Sequence, residues 1–332
     1  MTETPTNEQF PIVFSNNTPV IFLPPRLSIL EAVDFKTAYQ TLLEADPIPD
    51  EIVLDFQHTD FMDSSGVGAL VSSFKAAQTR EIQLILKNVS PPVMAVLSMT
   101  GLDRVLTIDS LAPSTSLRAS ASVDRRLPET HPSVRSWTKR SIDIVGSLVG
   151  LTITGILFIP IAIAIKRDSP GPIFFGQERC GWLGKKFRIW KFRSMCDNAE
   201  QLKDRVKNQA SGAFFKNDKD FRVTRVGKYL RRTSLDELPQ FWNVLKGEMS
   251  LVGTRPPTAK EVESYKIPEW QRLDVKPGMT GEWQVNGRSK IRNFEDVIEL
   301  DLRYQRNWSL MYDIKLIWKT IWILFRKNSG AV

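Results

Sequence analysis

Residues 144–165, IVGSLVGLTITGILFIPIAIAI, run for 22 positions without a charge, and no other feature constrains this chain as strongly. About 20 apolar residues suffice to cover a hydrocarbon core as a helix. Lys139 and Arg140 precede the run, and Lys166 and Arg167 follow it. Both flanks therefore carry the positive charge that marks a cytoplasmic end, and a single crossing has only one such end. Pro160 lies two-thirds of the way along, where it deletes the hydrogen bond to the Ile156 carbonyl and can bend the helix. The expectation is a kinked, re-entrant helix over about residues 142–166 that enters and leaves on one face. The competing reading is a helix buried in a soluble core, which can also be apolar all round.

Charge divides the chain in two. Residues 1–133 hold 9 Lys+Arg against 16 Asp+Glu, whereas residues 134–332 hold 36 against 21 and contain all nine Trp. An acidic, Trp-free module is joined to a basic, Trp-rich one, a composition suited to anionic partners such as nucleic acid or phospholipid headgroups. The uncharged run favours the lipid and argues against nucleic acid. Residues 308–327 interleave Trp and Ile with Lys and Arg, as an interfacial helix does, or as an amphipathic helix packed on its own domain. Cys180 and Cys196 fit neither zinc nor CxxC spacing and read as free cytosolic thiols. The first thirty residues lack the basic start and apolar run of a secretory leader, so the N-terminal module is expected in the cytoplasm. The length and apolar content exclude wholesale disorder, collagen-like repeats and a disulfide-stapled miniprotein.

Short apolar or β-branched runs at residues 12–14, 20–23, 52–56, 82–86 and 105–108 alternate with helix-patterned stretches at about 28–44, 65–79 and 91–100. This predicts a small α/β domain over residues 1–110. A Ser-, Ala- and Pro-rich stretch then reads as a linker at 111–133, followed by a second domain at 134–332. Within the first module, DSSGVG at residues 63–68 follows a predicted strand and opens a predicted helix. Asp63, Ser64 and Ser65 can cap that helix, whose positive end tolerates an added phosphate. At this turn the module resembles the STAS domain of anti-sigma factor antagonists and sulfate transporter tails. The resemblance implies that Ser64 is the phosphorylatable position, with Ser65 as its neighbour, and that a kinase or other regulator is a partner.

In the second module, Phe187, Ile189 and Phe192 alternate imperfectly with Arg188, Lys191 and Arg193, as in a half-exposed strand whose cations grip a phosphate or merely face solvent. The densest cluster is RVTRVGKYLRRTSLDELPQ, residues 222–240. Ser234 with Glu237 fits a capping box, which would make Asp236 and Glu237 simple dipole-complementing acids in a first helical turn. Alternatively, Arg225, Lys228, Arg231 and Arg232 crowd the two carboxylates. A carboxylate held ionised there could attack phosphorus while a divalent ion shields the incoming charge. Arg255, before Pro256 and Pro257, suits bidentate phosphate recognition.

From about residue 136 to 325 the chain resembles the bacterial sugar transferase family, the small monotopic phosphoglycosyl transferases acting on polyprenyl phosphate. The likeness rests on SPGPIFFGQER, KFRSM, RRTSLDELPQFWNVLKGEMSLVGTRP, KPGMTGEWQVNGR and a late NWS followed by Asp313. Together with the STAS resemblance it implies an N-terminal STAS-like α/β domain followed by an α+β membrane domain with a re-entrant kinked helix at the cytoplasmic face of the inner membrane. It further implies that Asp236 attacks the β-phosphorus of a UDP-sugar, expels UMP and holds the phosphosugar until polyprenyl (undecaprenyl) phosphate takes it. Glu237 is then the proton acceptor or orienting partner. Mg²⁺ is expected next to Asp236, and Lys191, Arg193, Arg231 and Arg255 are expected at phosphate or nucleotide. A homodimer is a further expectation. Thr254 stands where the family usually has Pro, and Ile159 where it often has Ser before the kinking Pro160. A membrane-tethered STAS signalling adaptor without catalysis is the alternative, and it predicts indifference to Asp236→Asn.

Overall fold

The computed structural model describes residues 10–15, 18–44, 47–109, 131–209, 217, 219–287 and 293–325. Residues 110–130, most of the proposed linker, lie outside them. The chain forms two compact units. The first runs to Thr130 and also takes in Leu183–Lys185 and Lys266–Asp274; the second holds the rest.

The first unit is a mixed five-stranded sheet with three helices. Its strands are β1 (Ile12–Ser15), β2 (Thr18–Phe22), β4 (Glu51–Asp55), β6 (Gln83–Lys87) and β7 (Thr107–Asp109). Their order in the sheet is their order in sequence, with β1 antiparallel to β2 and every later pair parallel. Parallel neighbours need long crossovers, and α1 (Ile29–Leu43), α2 (Ser64–Thr79) and α3 (Pro91–Thr100) supply them. A two-stranded parallel ladder, β3 (Arg26–Leu27) with β5 (Phe61–Met62), lies outside the main sheet and leads directly into α2. These two-residue strands carry no apolar run, so nothing in the sequence pattern announces them. The core is what a parallel sheet requires: Ile52, Val53 and Leu54 of β4 are buried in succession, together with Leu27, Phe35, Phe56, Met62 and Leu86. At Gly66 a Cβ would meet the Leu27 carbonyl at 2.5 Å, so the start of α2 can approach the β3 ladder only without a side chain there.

The second unit begins with α4 (Pro132–Arg135) and the long α5 (Trp137–Asp168). Ser136 caps α5 at the Lys139 amide (3.2 Å), and the helix runs on through Pro160, longer at both ends than the apolar run. An antiparallel hairpin follows, β8 (Phe174–Cys180) with β9 (Lys186–Phe192). Next come α6 (Arg225–Arg232), a 3-10 turn at Leu235–Glu237, α7 (Gln240–Lys246) and the parallel pair β10 (Ser250–Val252) and β11 (Gly278–Thr280), with α8 (Ala259–Glu263) between these strands. The chain continues through α9 (Glu282–Gly287), α10 (Phe294–Arg306) and α11 (Leu310–Phe325).

Helix α5 faces two environments. Gly146 and Gly150 let Leu251 and Phe241 pack against its backbone, since Cβ atoms there would stand 2.6 and 2.4 Å from those side chains. Ser147, Thr154, Ile161, Ala162 and Ile165 are also buried, so the inward stripe is largely small or polar. Val145, Leu148, Val149, Ile153, Ile156, Ile159 and Ile163 are exposed. The apolar window is only 22% buried, which is the inverse of a soluble core helix. Among the described residues this helix alone is long and apolar enough to cross a membrane. Helix α11 likewise buries Asp313 and Leu316 while exposing Met311, Trp318, Ile321 and Trp322.

One premise of the two-flank charge argument changes in three dimensions. Lys139 is buried, with its ammonium 2.5 Å from Asp313 Oδ2 and 3.0 Å from the Val252 carbonyl, and Asp313 also accepts from Tyr304 and Trp308. Arg140 donates to the Val244 and Leu245 carbonyls at 2.7 and 2.6 Å, at the C-terminal end of α7 where a cation complements the helix dipole. The cations before the apolar run are thus committed to internal partners, whereas Lys166 and Arg167 are exposed.

Candidate active site

The Asp236-Glu237 pair lies in the 3-10 turn between α6 and α7. Leu235 and Leu238, on either side of the pair, pack into a cluster with Ile161 and Ile165 of α5, Phe192 of β9 and Leu230 of α6. Packing of these two partly buried leucines anchors the turn to the C-terminal half of the apolar helix. The capping-box reading of Ser234 and Glu237 fails here. Ser234 adopts a left-handed conformation (φ 55°) and makes no side-chain cap, and the regular helix starts only at Gln240, after Pro239. Glu237 reaches instead to Lys191 on β9 (Nζ to Oε1, 2.9 Å).

The hairpin and helices hold this geometry through polar contacts. Asn243, fully buried on α7, accepts from the Trp190 amide (3.2 Å) and donates to the Arg188 carbonyl (2.7 Å) and Glu248 (2.7 Å), which ties α7 to the strand that carries Lys191. At the C-terminal end of α5, Asp168 accepts from the Val226 amide (2.9 Å) in the first turn of α6. Thr224 caps the same helix at the Gly227 amide (3.0 Å). Gly227 is obligatory, because a Cβ there would lie 1.9 Å from the Ser194 carbonyl.

Arg231 projects from α6, and its Nε donates to Ser194 Oγ (3.0 Å). Burial lowers its pKa from the ordinary guanidinium value, an effect partly offset by the negative charges of Asp236 and Asp220. The other cations of the 222–232 cluster divide into two groups. Arg222 is locked to Asp220 in a bidentate buried pair (2.9 and 2.6 Å). Arg225, Lys228 and Arg232 join Arg231 in lining a cavity of about 690 Å³ that also presents Phe221 and Tyr229.

The remaining expected phosphate contacts are placed differently. Arg193 is buried and donates to the Ser169 carbonyl (2.7 Å) and hydroxyl (3.1 Å) and to the Pro170 carbonyl, so it braces the turn that leaves α5. Arg255 forms a two-point pair with Glu261 (2.7 and 3.2 Å). Glu261 is also the capping-box residue of α8. The Thr254 carbonyl accepts from the Gly278 amide (2.8 Å), so strand pairing holds this turn where the family usually has proline. Spacing did not single out Arg179, which donates to the Pro256 carbonyl (2.9 Å) and Gln177 (2.7 Å). Its pKa falls to about 10 through burial and the charge of Arg255, against the opposing charges of Glu261 and Glu237. Its place in the FGQER motif was the available signal. Cys180 and Cys196 are free, and burial pushes the Cys180 thiol up to about 11.

Among the described residues no cluster of three or more His, Cys, Asp or Glu could hold a metal through protein ligands alone. Mg²⁺ commonly binds through one or two carboxylates together with substrate phosphates and water, and adjacent Asp236 and Glu237 fit that donor set.

The second unit thus holds a buried Asp236 next to a half-buried Glu237, a cavity lined by Arg225, Lys228, Arg231 and Arg232, and an apolar helix with an outward-facing side. Residues 134–327 match the bacterial sugar transferase family, and the chain belongs to that family; residues 10–114 match the STAS domain. Among similar proteins, the galactosyl transferase CpsE of Streptococcus agalactiae is 50% identical over 185 residues, 55% of this chain and 41% of that protein. The UDP-glucose:undecaprenyl-phosphate glucose-1-phosphate transferase of Escherichia coli is 44% identical over 195 residues, 57% of this chain and 40% of that protein. The chain thus spans about two fifths of the length of these two relatives. The exopolysaccharide production protein ExoY of Rhizobium meliloti is 37% identical over 211 residues, 61% of this chain and 93% of that protein. A solved structure of the Bacillus cell fate determinant SpoIIAA in its phosphorylated form is 24% identical, with a TM-score of 0.27, over 31% of this chain and 92% of that one.

Proposed function

We propose that this protein transfers a sugar phosphate from a UDP-sugar to polyprenyl (undecaprenyl) phosphate and releases UMP, as a first membrane step in assembling a surface glycan. The observation that carries the reading is the 3-10 turn itself: Asp236 is buried beside Arg231, next to a Glu237 tethered to Lys191. A carboxylate at position 236 attacks the sugar-bearing phosphorus, the bond from that phosphorus to the bridging oxygen breaks, and UMP leaves with the electron pair. The resulting aspartyl phosphosugar is then attacked by an oxygen of the lipid phosphate, which breaks the Asp236–phosphorus bond and restores the carboxylate. Glu237 orients the acceptor phosphate or takes a proton from it, and Lys191 holds its carboxyl in position. Asp236 and Glu237 would hold Mg²⁺, which would supply positive charge against the repulsion between the carboxylates and the incoming diphosphate. Arg231 and the cations lining the cavity neutralise the nucleotide phosphates.

Relatives named for undecaprenyl-phosphate transfer support the acceptor, and their sugars differ among glucose, galactose and N-acetylgalactosamine. The outward apolar faces of α5 and α11 support a monotopic enzyme at the cytoplasmic face of the inner membrane, with α5 re-entrant about Pro160. Lipid phosphate then reaches the turn laterally and the nucleotide sugar from the cytosol, so geometry contributes to catalysis. The test is incubation with UDP-sugars, undecaprenyl phosphate and Mg²⁺. UMP as the released nucleotide supports the reading, whereas UDP indicates ordinary glycosyl transfer and no turnover indicates the tethered adaptor.

A further inference from the structure

The turn that the sequence marks for modification is covered by the chain itself. Ser64 is fully buried; its hydroxyl donates to the Trp270 carbonyl (2.6 Å) and its amide to Asp274 Oδ1 (3.0 Å). The indole of Trp270 rests on Gly68, where a Cβ would stand 2.6 Å from the ring. These contacts come from the segment Lys266–Asp274, which belongs to the first unit although it lies more than 200 residues further along the chain. Most of the segment is a 3-10 helix, Ile267–Leu273, that buries Ile267, Trp270, Arg272 and Leu273. Its glycine-dependent fit on α2, its apolar burial and its two hydrogen bonds to one serine make it a specific occupant.

The amides at the start of α2 are already in use. Asp63 accepts from the Ser65 and Gly66 amides at 2.8 and 3.0 Å, and Asp274 takes the Ser64 amide. Two carboxylates therefore converge on one helix start. A phosphate on Ser64 would bring close to two negative charges against them and would need the space that the Trp270 carbonyl occupies. We propose that the Asp63–Gly68 face of α2 is an internal docking surface for Lys266–Asp274, and that a negative charge on Ser64 expels this segment, so that docking and modification exclude each other. The segment continues directly into Val275 and β11, whose Gly278 amide holds the Thr254 carbonyl next to Arg255. The proposal stands whether or not the transferase reading does.

Hydrogen exchange of the full chain in detergent micelles tests it without reference to activity. Peptides covering residues 266–274 are expected to exchange at least about tenfold faster in Ser64→Glu than in the wild type, and Ser64→Ala to raise exchange by less. Unchanged exchange there in Ser64→Glu overturns the proposal. If the β4 and β6 peptides also lose protection, the glutamate has unfolded the domain and Trp270→Ala decides. Faster exchange across residues 62–70 with β4 and β6 unchanged supports docking, and no change at 62–70 overturns it.

Discussion

Two turns in this protein place an acid at the start of a helical segment and bury it to a similar degree: Asp63 is 8% exposed and Asp236 6%. Their neighbours have opposite sign. Around Asp63 the charges are Asp274 and Glu31, and burial with their repulsion raises its pKa from the usual carboxylate value; burial likewise raises Asp274. Around Asp236 stand Arg231 and the Lys191–Glu237 pair. The contrast shows that burial depth alone does not assign a role to a carboxyl group. In the proposed function the cation beside one turn meets a nucleotide diphosphate, whereas the anionic neighbours of the other raise its carboxyl pKa and accompany the docked segment.

The largest effect is expected from the amide substitution at Asp236. Asp236→Asn removes the nucleophile and should reduce UMP release by at least about a thousandfold, measured alongside circular dichroism to show that the fold is kept. A variant retaining the native rate would eliminate the covalent mechanism. Next in size, Lys191→Met removes the ammonium that binds Glu237 and should lower turnover by about tenfold to a hundredfold and displace the pH–rate profile. An unchanged profile would reduce the pair to a surface contact.

A smaller effect is expected from pH on the docked segment. A carboxyl whose pKa is raised in the docked state binds a proton that the released state gives up near 3.8, so docking is favoured at low pH and weakens as pH rises toward and through neutrality. Exchange in residues 266–274, corrected for intrinsic rates, should therefore quicken as pH rises from the released value near 3.8 to the raised values of about 6 for Asp274 and about 7 for Asp63, and level off above them, and Asp274→Asn should flatten the trend. The smallest effect belongs to Asp63→Asn. Asparagine caps about as well as aspartate and keeps the oxygen that serves the Ser65 and Gly66 amides, so the melting free energy should change by no more than about 1 kcal/mol. A loss approaching that of Asp236→Asn would erase the distinction between the turns.

Much of the first unit was legible because its signals are local. Helices α1, α2 and α3 fall within a residue or so of their expected spans, and the five sheet strands overlap the expected apolar runs. Strands β3 and β5 escaped notice because two residues make no pattern. The acidic pair, Lys191 and Arg231 stood out through their motifs, and the structure brings Lys191 to Glu237 and Arg231 to the vicinity of Asp236. Arg193 and Arg255 were equally conspicuous as cations, but their partners, the Ser169–Pro170 carbonyls and Glu261, could not be read from charge and spacing. The capping-box pattern at Ser234 misled because the left-handed backbone there takes the serine side chain out of capping position.

The amino-acid order by itself determined where most of the first unit's helices and strands form, which helix is long and apolar enough to meet lipid, and which acids and cations the chemistry has to draw on. Each of these depends on neighbours a few residues apart, through periodicity, caps and turns. Tertiary structure decided which charges meet. Lys139 finds Asp313 across 174 positions and Ser64 finds Asp274 across 210, so the state of each buried group depends on partners that only the completed packing brings into reach. Electrostatic energy inside a protein varies with distance and burial rather than with sequence separation, and so two similar acidic turns acquired opposite surroundings.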